Sequence, residues 1–359
     1  MYSECREMEK MERKYYLKFI VAAVVAAMAA VSCNKDEEDT REYMAGSVSF
    51  DFPSYAVVGQ EVSSYVSGIT TPPLSDLRYY WVSYDMEINE TDTVEGQSIT
   101  FHLPSEPGEY SITAYAQSIS GEYYTSSSTA HVQVITTDPE AIDGWAPGTT
   151  TLRDERDGQT YRVRNIGSLQ WFTQDLRYAG DGETVLGYPY DKSEGLDYIF
   201  GRLYSWNEAT GGQSGEGLGQ GPQGACPDGW SVPTAEDWED LALAVGGEPV
   251  DFLDHWDGIG DILSAPVTVN GSAMWPYSPD NLHSNTFGWN AFPTGNSRDN
   301  YNEFENIGVY GMWWSSTLLD NGMVPYRFIY YNTNTCDVYY TDKDSYGVSV
   351  RCVRLISGN

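Results

Sequence analysis

The chain has 359 residues, with 52 acidic side chains against 20 Lys and Arg and a formal charge of −32. That excess excludes a nucleic-acid backbone or an anionic bilayer surface as the natural partner, because either would be repelled. Hydrophobic residues at 41%, with 28 Tyr and 11 Trp, supply ample apolar mass, while 35 Gly and 17 Pro point to strands and structured loops rather than long helices.

Residues 1–32 are expected to be a signal peptide, with Met11 as the functional start. Arg13, Lys14 and Lys18 precede an apolar run of thirteen residues, Phe19 to Val31. That run is shorter than the roughly 20 residues a membrane-spanning helix needs, but it suits the core of a secretory signal. It ends Ala30-Val31-Ser32-Cys33, which resembles the lipobox of bacterial lipoproteins and implies lipidation at Cys33. Residues 33–43 form a charged tether that cannot collapse. Their opening, Asn34-Lys35-Asp36-Glu37-Glu38-Asp39, resembles the export signal of Bacteroidetes surface lipoproteins. That likeness implies attachment to the outer membrane through the lipid alone, facing the exterior.

Residues 44–137 read as a first module. SVSFDF (47–52), LRYYWVSYDMEI (77–88), SITFHL (98–103), YSITAYAQ (110–117) and AHVQVI (130–135) alternate with period two and are separated by turns such as Pro72-Pro73 and Pro107-Gly108. The pattern predicts an all-antiparallel sandwich with Tyr79 and Trp81 on its inner face. The segment Pro107-Gly108-Glu109-Tyr110 and the strand after it resemble the immunoglobulin-like and PKD-like modules of bacterial surface proteins, which implies a spacer. Residues 138–150, DPEAIDGWAPGTT, lack periodicity and mark a linker.

The second module, 151–359, opens with a predicted hairpin: Asp157-Gly158 is the turn and Thr160 to Ile166 the second strand. The glycine-rich stretch 211–224 lacks the strand and the Gly-Lys-Ser/Thr of a phosphate cradle and reads as a loop. After Pro233, Thr234 is a fitting N-cap, Asp237 the acidic partner of a capping box, and Trp238, Leu241, Ala242 and Val245 form one helical face.

The segments GRLYSWNEA, ACPDGWSVPTAEDW, FGWNAFPTG, YGMWWSST and YGVSVRCVRL resemble, in order, the motifs of the paralogous domain expanded in Fibrobacter succinogenes and common in Bacteroidetes lipoproteins. Gln174-Asp175-Leu176 stands where Glu-Asn-Leu is usual, Ser231 where His is common, and Asn290 and Phe292 alter the FsaLP run. The resemblance implies a C-type-lectin-like fold distantly similar to the formylglycine-generating enzymes. The fold class expected is therefore mainly β: an immunoglobulin-like β-sandwich followed by an α+β C-type-lectin-like domain.

Those enzymes use a copper-binding cysteine pair, for which Cys336 and Cys352 are the positions to consider. An extracellular location favours a disulfide instead. Cys226 before the helix is expected to bond Cys352 in the final strand, leaving Cys336 over. His102, His131, His255 and His283 lie in no catalytic motif, so no catalytic residue is assigned. No cofactor is expected, with calcium the one ion to consider: Asp251, Asp254, Asp257 and Asp261 would line one side if their segment were helical. Trp313 and Trp314 read as core. Trp275, Tyr277 and Tyr301, with Asp280, Asn281 and Asn285, are the expected ligand platform, aromatic rings stacking on sugars and polar groups meeting hydroxyls. The function expected is non-catalytic binding of a glycan or of a surface or matrix protein. An enzyme acting on polysaccharide or modifying protein, and a component of a pilus-like or envelope assembly, are the alternatives.

Overall fold

The computed structural model describes residues 39–83, 93–136, 148, 150–193, 195–250, 255–269 and 271–356. Cys33, most of the 33–43 tether, most of the linker, and Asp251 and Asp254 lie outside them. The fold is mainly β; among the described residues the α-helices are short and lie in the second module, and the first holds one 3-10 turn, Leu74–Asp76.

In the first module a five-stranded sheet runs in the order Tyr55–Val57, Ser126–Ile135, Gly108–Ser118, Leu77–Ser83, Thr93–Glu95. Two ribbons face it, Ala45–Ser49 with Ser67–Thr71 and Glu61–Tyr65 with Ser98–His102. Alternation places Tyr79 and Trp81 inside with Val62, Phe101, Ile112 and Val132, as the sequence predicts for the first two. The Trp81 indole, buried beyond the reach of water, donates to the Gly96 carbonyl at 3.0 Å. One expectation is corrected: the sheet is not all antiparallel, because Tyr55–Val57 lies parallel to the end of Ser126–Ile135. That three-residue strand enters from the opposite ribbon and fills the sheet edge, so its direction is fixed by the crossing and not by a hairpin.

The second module begins with the predicted hairpin, Thr150–Arg153 against Thr160–Ile166. Leu169–Phe172 extends it, and the final strand Val353–Leu355 closes its edge. A five-stranded sheet follows in the order Glu248–Pro249, Trp256–Asp257, Thr335–Thr341, Val324–Tyr330, Tyr310–Trp314. A third sheet joins Tyr204–Ser205, Gly347–Val348, Asn296–Arg298 and Glu303–Glu305.

The helix Ala235–Ala244 starts at Thr234 with a complete capping box. The Thr234 hydroxyl accepts from the Asp237 amide at 3.2 Å, and the Thr234 amide donates to the Asp237 carboxylate at 2.9 Å. Trp238, Leu241, Ala242 and Val245 pack with Trp171, Trp289 and Trp313. Cys226 and Cys352 form the expected disulfide, Cα atoms 5.8 Å apart across 126 residues, and Cys336 is a buried residue outside that bridge. At the junction of the modules, Tyr55 and Val57 pack against Leu196, Ile199 and Phe200 of the head. The Asp191 carboxylate accepts there from the amide and hydroxyl of Ser54 at 3.0 and 2.7 Å.

Candidate functional site: the tyrosine-rich sheet face

The 272–306 region does not form the open platform read from its composition. Trp275 is only 2% exposed and belongs to the core cluster that holds Trp238, with its ring stacked on His283 at 5.0 Å. Tyr277, two residues on, is 84% exposed. Proline stiffens the turn between them but directs the two rings to opposite sides.

The amides serve the loop itself. Asn281 donates to the Thr333 carbonyl at 3.0 Å, and Asn285 exchanges hydrogen bonds with Asn290 at 2.7 and 3.0 Å. Such bonds are what an irregular buried backbone requires. Tyr301 is buried and donates to Glu208 while accepting from the Ser205 amide at 2.6 Å. Burial and the Glu208 carboxylate push that phenol well above its ordinary value. Of the six expected ligand contacts, Trp275, Asn281, Asn285 and Tyr301 are therefore buried, and Tyr277 and Asp280 face solvent.

The acidic row is also dispersed where it can be followed. Asp257 is exposed on the strand Trp256–Asp257. Asp261 opens the helix Gly260–Leu263, where it accepts from the Ser284 amide and hydroxyl at 2.8 and 2.9 Å. The glycines at 258 and 260 break the helical spacing on which the row depended. Among the described residues, no three His, Cys, Asp or Glu side chains converge to hold a metal.

Rings are instead gathered on one face of the five-stranded sheet. Register pairs Tyr310 with Tyr330, Met312 with Phe328, Trp314 with Tyr326, and Tyr326 with Tyr339. Paired residues project to the same side, so these strands place their aromatic side chains in one connected field. Tyr310 stacks on Tyr330 at 4.6 Å and meets Phe328 edge-on at 5.8 Å. Phe328 continues to Tyr326 at 6.2 Å, which stacks on Tyr346 at 5.4 Å and touches Tyr339 at 6.1 Å. Tyr326 is nearly covered, Tyr310, Phe328, Tyr330 and Tyr346 are half-buried, and Tyr339 is 61% exposed. Burial raises the Tyr326 and Tyr346 phenols above their ordinary value, so they stay protonated donors at neutral pH.

The rim of this face is polar. Asp337 pairs with Phe328, and His255 lies beside it with Nδ1 3.2 Å from the Asp337 carboxylate and Nε2 3.9 Å from that of Asp257. Nδ1 is within hydrogen-bond distance of Asp337, and Nε2 lies beyond it from Asp257. The sequence carries only part of the signal for the face: Tyr326, Phe328 and Tyr330 alternate within one strand, and Tyr310 opens the strand before it.

Met312, Trp314 and Tyr326 root this face in the core that holds Tyr204 and Trp206, and the opposite side of the sheet is buried as well. Arg351, 1% exposed, donates Nε to Asp175 at 2.5 Å and its terminal nitrogens to the carbonyls of Trp289 and Asn290. The Trp313 indole donates to the same Asp175 carboxylate at 2.9 Å. Burial works against the Arg351 charge and lowers its pKa, with Asp175 opposing that change.

Compared with known families, residues 165–354 match the Fibrobacter succinogenes major domain. No curated protein matches the chain.

Proposed function

We propose that this chain, which belongs to the Fibrobacter succinogenes major domain family, is an outer-membrane lipoprotein anchored through Cys33 and facing outward, whose head binds a neutral glycan without catalysis. The finer architecture is part of the same proposal: an immunoglobulin-like or PKD-like sandwich as spacer, and a C-type-lectin-like head.

The carrying observation is the row Tyr330, Tyr310, Phe328 and Tyr326 with Tyr339 and Tyr346 beside it. Rigid rings held by a sheet lose little freedom on binding, so stacking on the flat faces of pyranose rings is favoured. Phenol hydroxyls and the Asp337 rim supply hydrogen-bond partners for sugar hydroxyls. A chain with a net charge of −32 repels polyanions at low salt, which selects a neutral polymer.

The test is an array of neutral glycans and matrix proteins probed with the mature chain, followed by Tyr310→Ala/Tyr330→Ala. Loss of this pair is expected to weaken glycan binding by about tenfold, with a modest fall in melting temperature because the two half-buried rings stack on each other and Tyr310 packs on the core. Signal from matrix proteins alone, or unchanged glycan affinity in the double variant, would refute the reading. The address is tested by protease on intact cells, where accessible head is expected in the parent and release or retention of a precursor in Cys33→Ala.

A further inference from the structure

A groove of about 810 Å³ separates the glycine-rich loop from the last strand, on a different part of the head from the tyrosine face. The volume lies in the range of roughly 300–1,000 Å³ typical of small-ligand sites. Its walls include Gln170 and Arg354 from the terminal strand pair, Gly219, Gly221 and Gln223 from the loop, and Trp230. The loop approaches closely because its glycines allow it: a Cβ at 219 would stand 2.5 Å from the Leu355 side chain, and one at 221 would stand 1.9 Å from the Val232 carbonyl.

The charge inventory of this groove is opposite to that of the chain. Among the described residues no acid lines it, and its single charged wall residue is Arg354. The cavity at the module junction, by contrast, is lined by Asp51, Glu61 and Asp191. Two acids beside the loop are engaged: Asp228 accepts from Gln223 Nε2 at 2.9 Å, and Asp237 from the Gly219 amide at 2.6 Å.

Arg354 is held in a defined pose. Register sets it opposite Gln170, to which Nε donates at 2.5 Å, and its guanidinium lies over the Trp230 ring at 4.5 Å. With Nε spent on Gln170, the two terminal nitrogens remain as a planar fork, the geometry that receives a carboxylate through two parallel hydrogen bonds. Gln223 donates from Nε2 to the Cys226 carbonyl and to Asp228, which leaves its own carbonyl to accept from a hydroxyl. Leu355, half-exposed on the rim, offers an apolar surface.

We propose that this groove binds a small hydroxylated carboxylate, a sugar acid, with the carboxylate on the Arg354 fork, a hydroxyl on the Gln223 carbonyl and the C–H face of the ring against Leu355. A single negative charge is met by a single cation, while the field of the surrounding acids disfavours a polyanion. The site goes beyond glycan binding at the tyrosine face and does not depend on it.

Calorimetric titration of the mature chain with sodium glucuronate, glucose, acetate and inorganic phosphate decides the matter. Glucuronate is expected to bind at least about tenfold more tightly than glucose or acetate, each of which keeps only part of the contacts. Arg354→Gln is expected to lose about tenfold or more, Arg354→Lys to recover a fraction of that because it keeps charge without the fork, and Tyr310→Ala/Tyr330→Ala to change nothing. Gln223→Ala, on the other wall, should weaken binding without touching the guanidinium. Glucuronate no tighter than glucose, phosphate binding as well as glucuronate, or unchanged affinity in Arg354→Gln would each overturn the proposal. Loss of glycan binding at the tyrosine face alone would leave it standing.

Discussion

In the sandwich, the buried set is delivered by alternation: Val62 and Ser64, Ile99 and Phe101, Tyr79 and Trp81 turn inward at every second position, and most of what turns inward is apolar. In the head, the centre holds Arg351, Asp175 and Asn290 among Trp289 and Trp313. One module is held by an apolar core and a regular hydrogen-bond ladder. The other threads long irregular segments through its interior, and each buried backbone group there needs a specific partner. The Asn285–Asn290 exchange and the Arg351 bonds to the carbonyls of Trp289 and Asn290 meet that need. The comparison teaches that the two modules should respond differently to loss of a polar group, strongly in the head and weakly in the sandwich.

The largest effect should come from breaking the buried pair. Arg351→Ala removes the cation that faces Asp175, leaving that carboxylate the Trp313 indole, and takes the guanidinium away from two backbone carbonyls, so a loss of about 3–5 kcal/mol is expected for the head. Asp175→Asn is the sharper probe because it keeps an acceptor at the site while removing the charge. It also puts back the residue usual at this position in the motif. Calorimetry should show the head transition lowered more by Arg351→Ala than by Asp175→Asn. Equal and small shifts in both would show that the pair does not organise the head.

Next in size is the bridge. Cys226→Ala/Cys352→Ala opens a loop of 126 residues between the start of the Trp238 helix and the final strand. A loss of about 2–5 kcal/mol is expected in the head, while the sandwich, which holds no cysteine, keeps its own transition under reducing conditions. A reductant that lowered both transitions equally would mean that the modules melt as one unit through the junction at Val57 and Phe200.

What the sequence disclosed follows the same division. Period two made the sandwich strands and the Trp81 face readable, and the N-terminal helix signals at Thr234 and Asp237 proved complete. The strands Tyr55–Val57, Glu61–Tyr65 and Ser67–Thr71 are three to five residues long, so their pattern is too brief to read. The disulfide was legible because only three cysteines lie in the head. The ligand platform was misplaced because the 272–306 segment has no period to tell inward from outward, so Trp275 and Tyr277 looked equivalent. The tyrosine face was concealed by distance: Tyr310, Tyr326, Phe328, Tyr330, Tyr339 and Tyr346 form a single surface only after the strands pair, and register is not written in composition. Asp175 was visible as a departure from the motif, but its partner Arg351 lies 176 residues away.

The smallest effect expected is a pH dependence confined to the head over a mildly acidic range. Burial beneath Trp275 pushes the His283 imidazole from 6.5 down to about 4. Above the ordinary value the ring is neutral in folded and unfolded chains alike, and it contributes no difference. As pH falls through that value the unfolded chain takes up the proton first, so stability drains from the head until the folded ring also protonates near the lowered value, below which the loss is complete. His102 and His131 of the sandwich are exposed beside Glu61 and Glu109, each 3.6 Å away, and have no such burial to undo. The head transition should therefore fall between about pH 7 and about pH 4 more steeply than the sandwich transition. His283→Asn separates the histidine from the many carboxylates of the head. Asparagine tolerates the left-handed backbone at this position, φ 55°, and carries no titrating group. Its absolute stability will drop with the lost Trp275 stacking, so the slope against pH is the quantity to read. A slope unchanged from the parent would show that the acid sensitivity of the head belongs to its carboxylates and not to the buried imidazole.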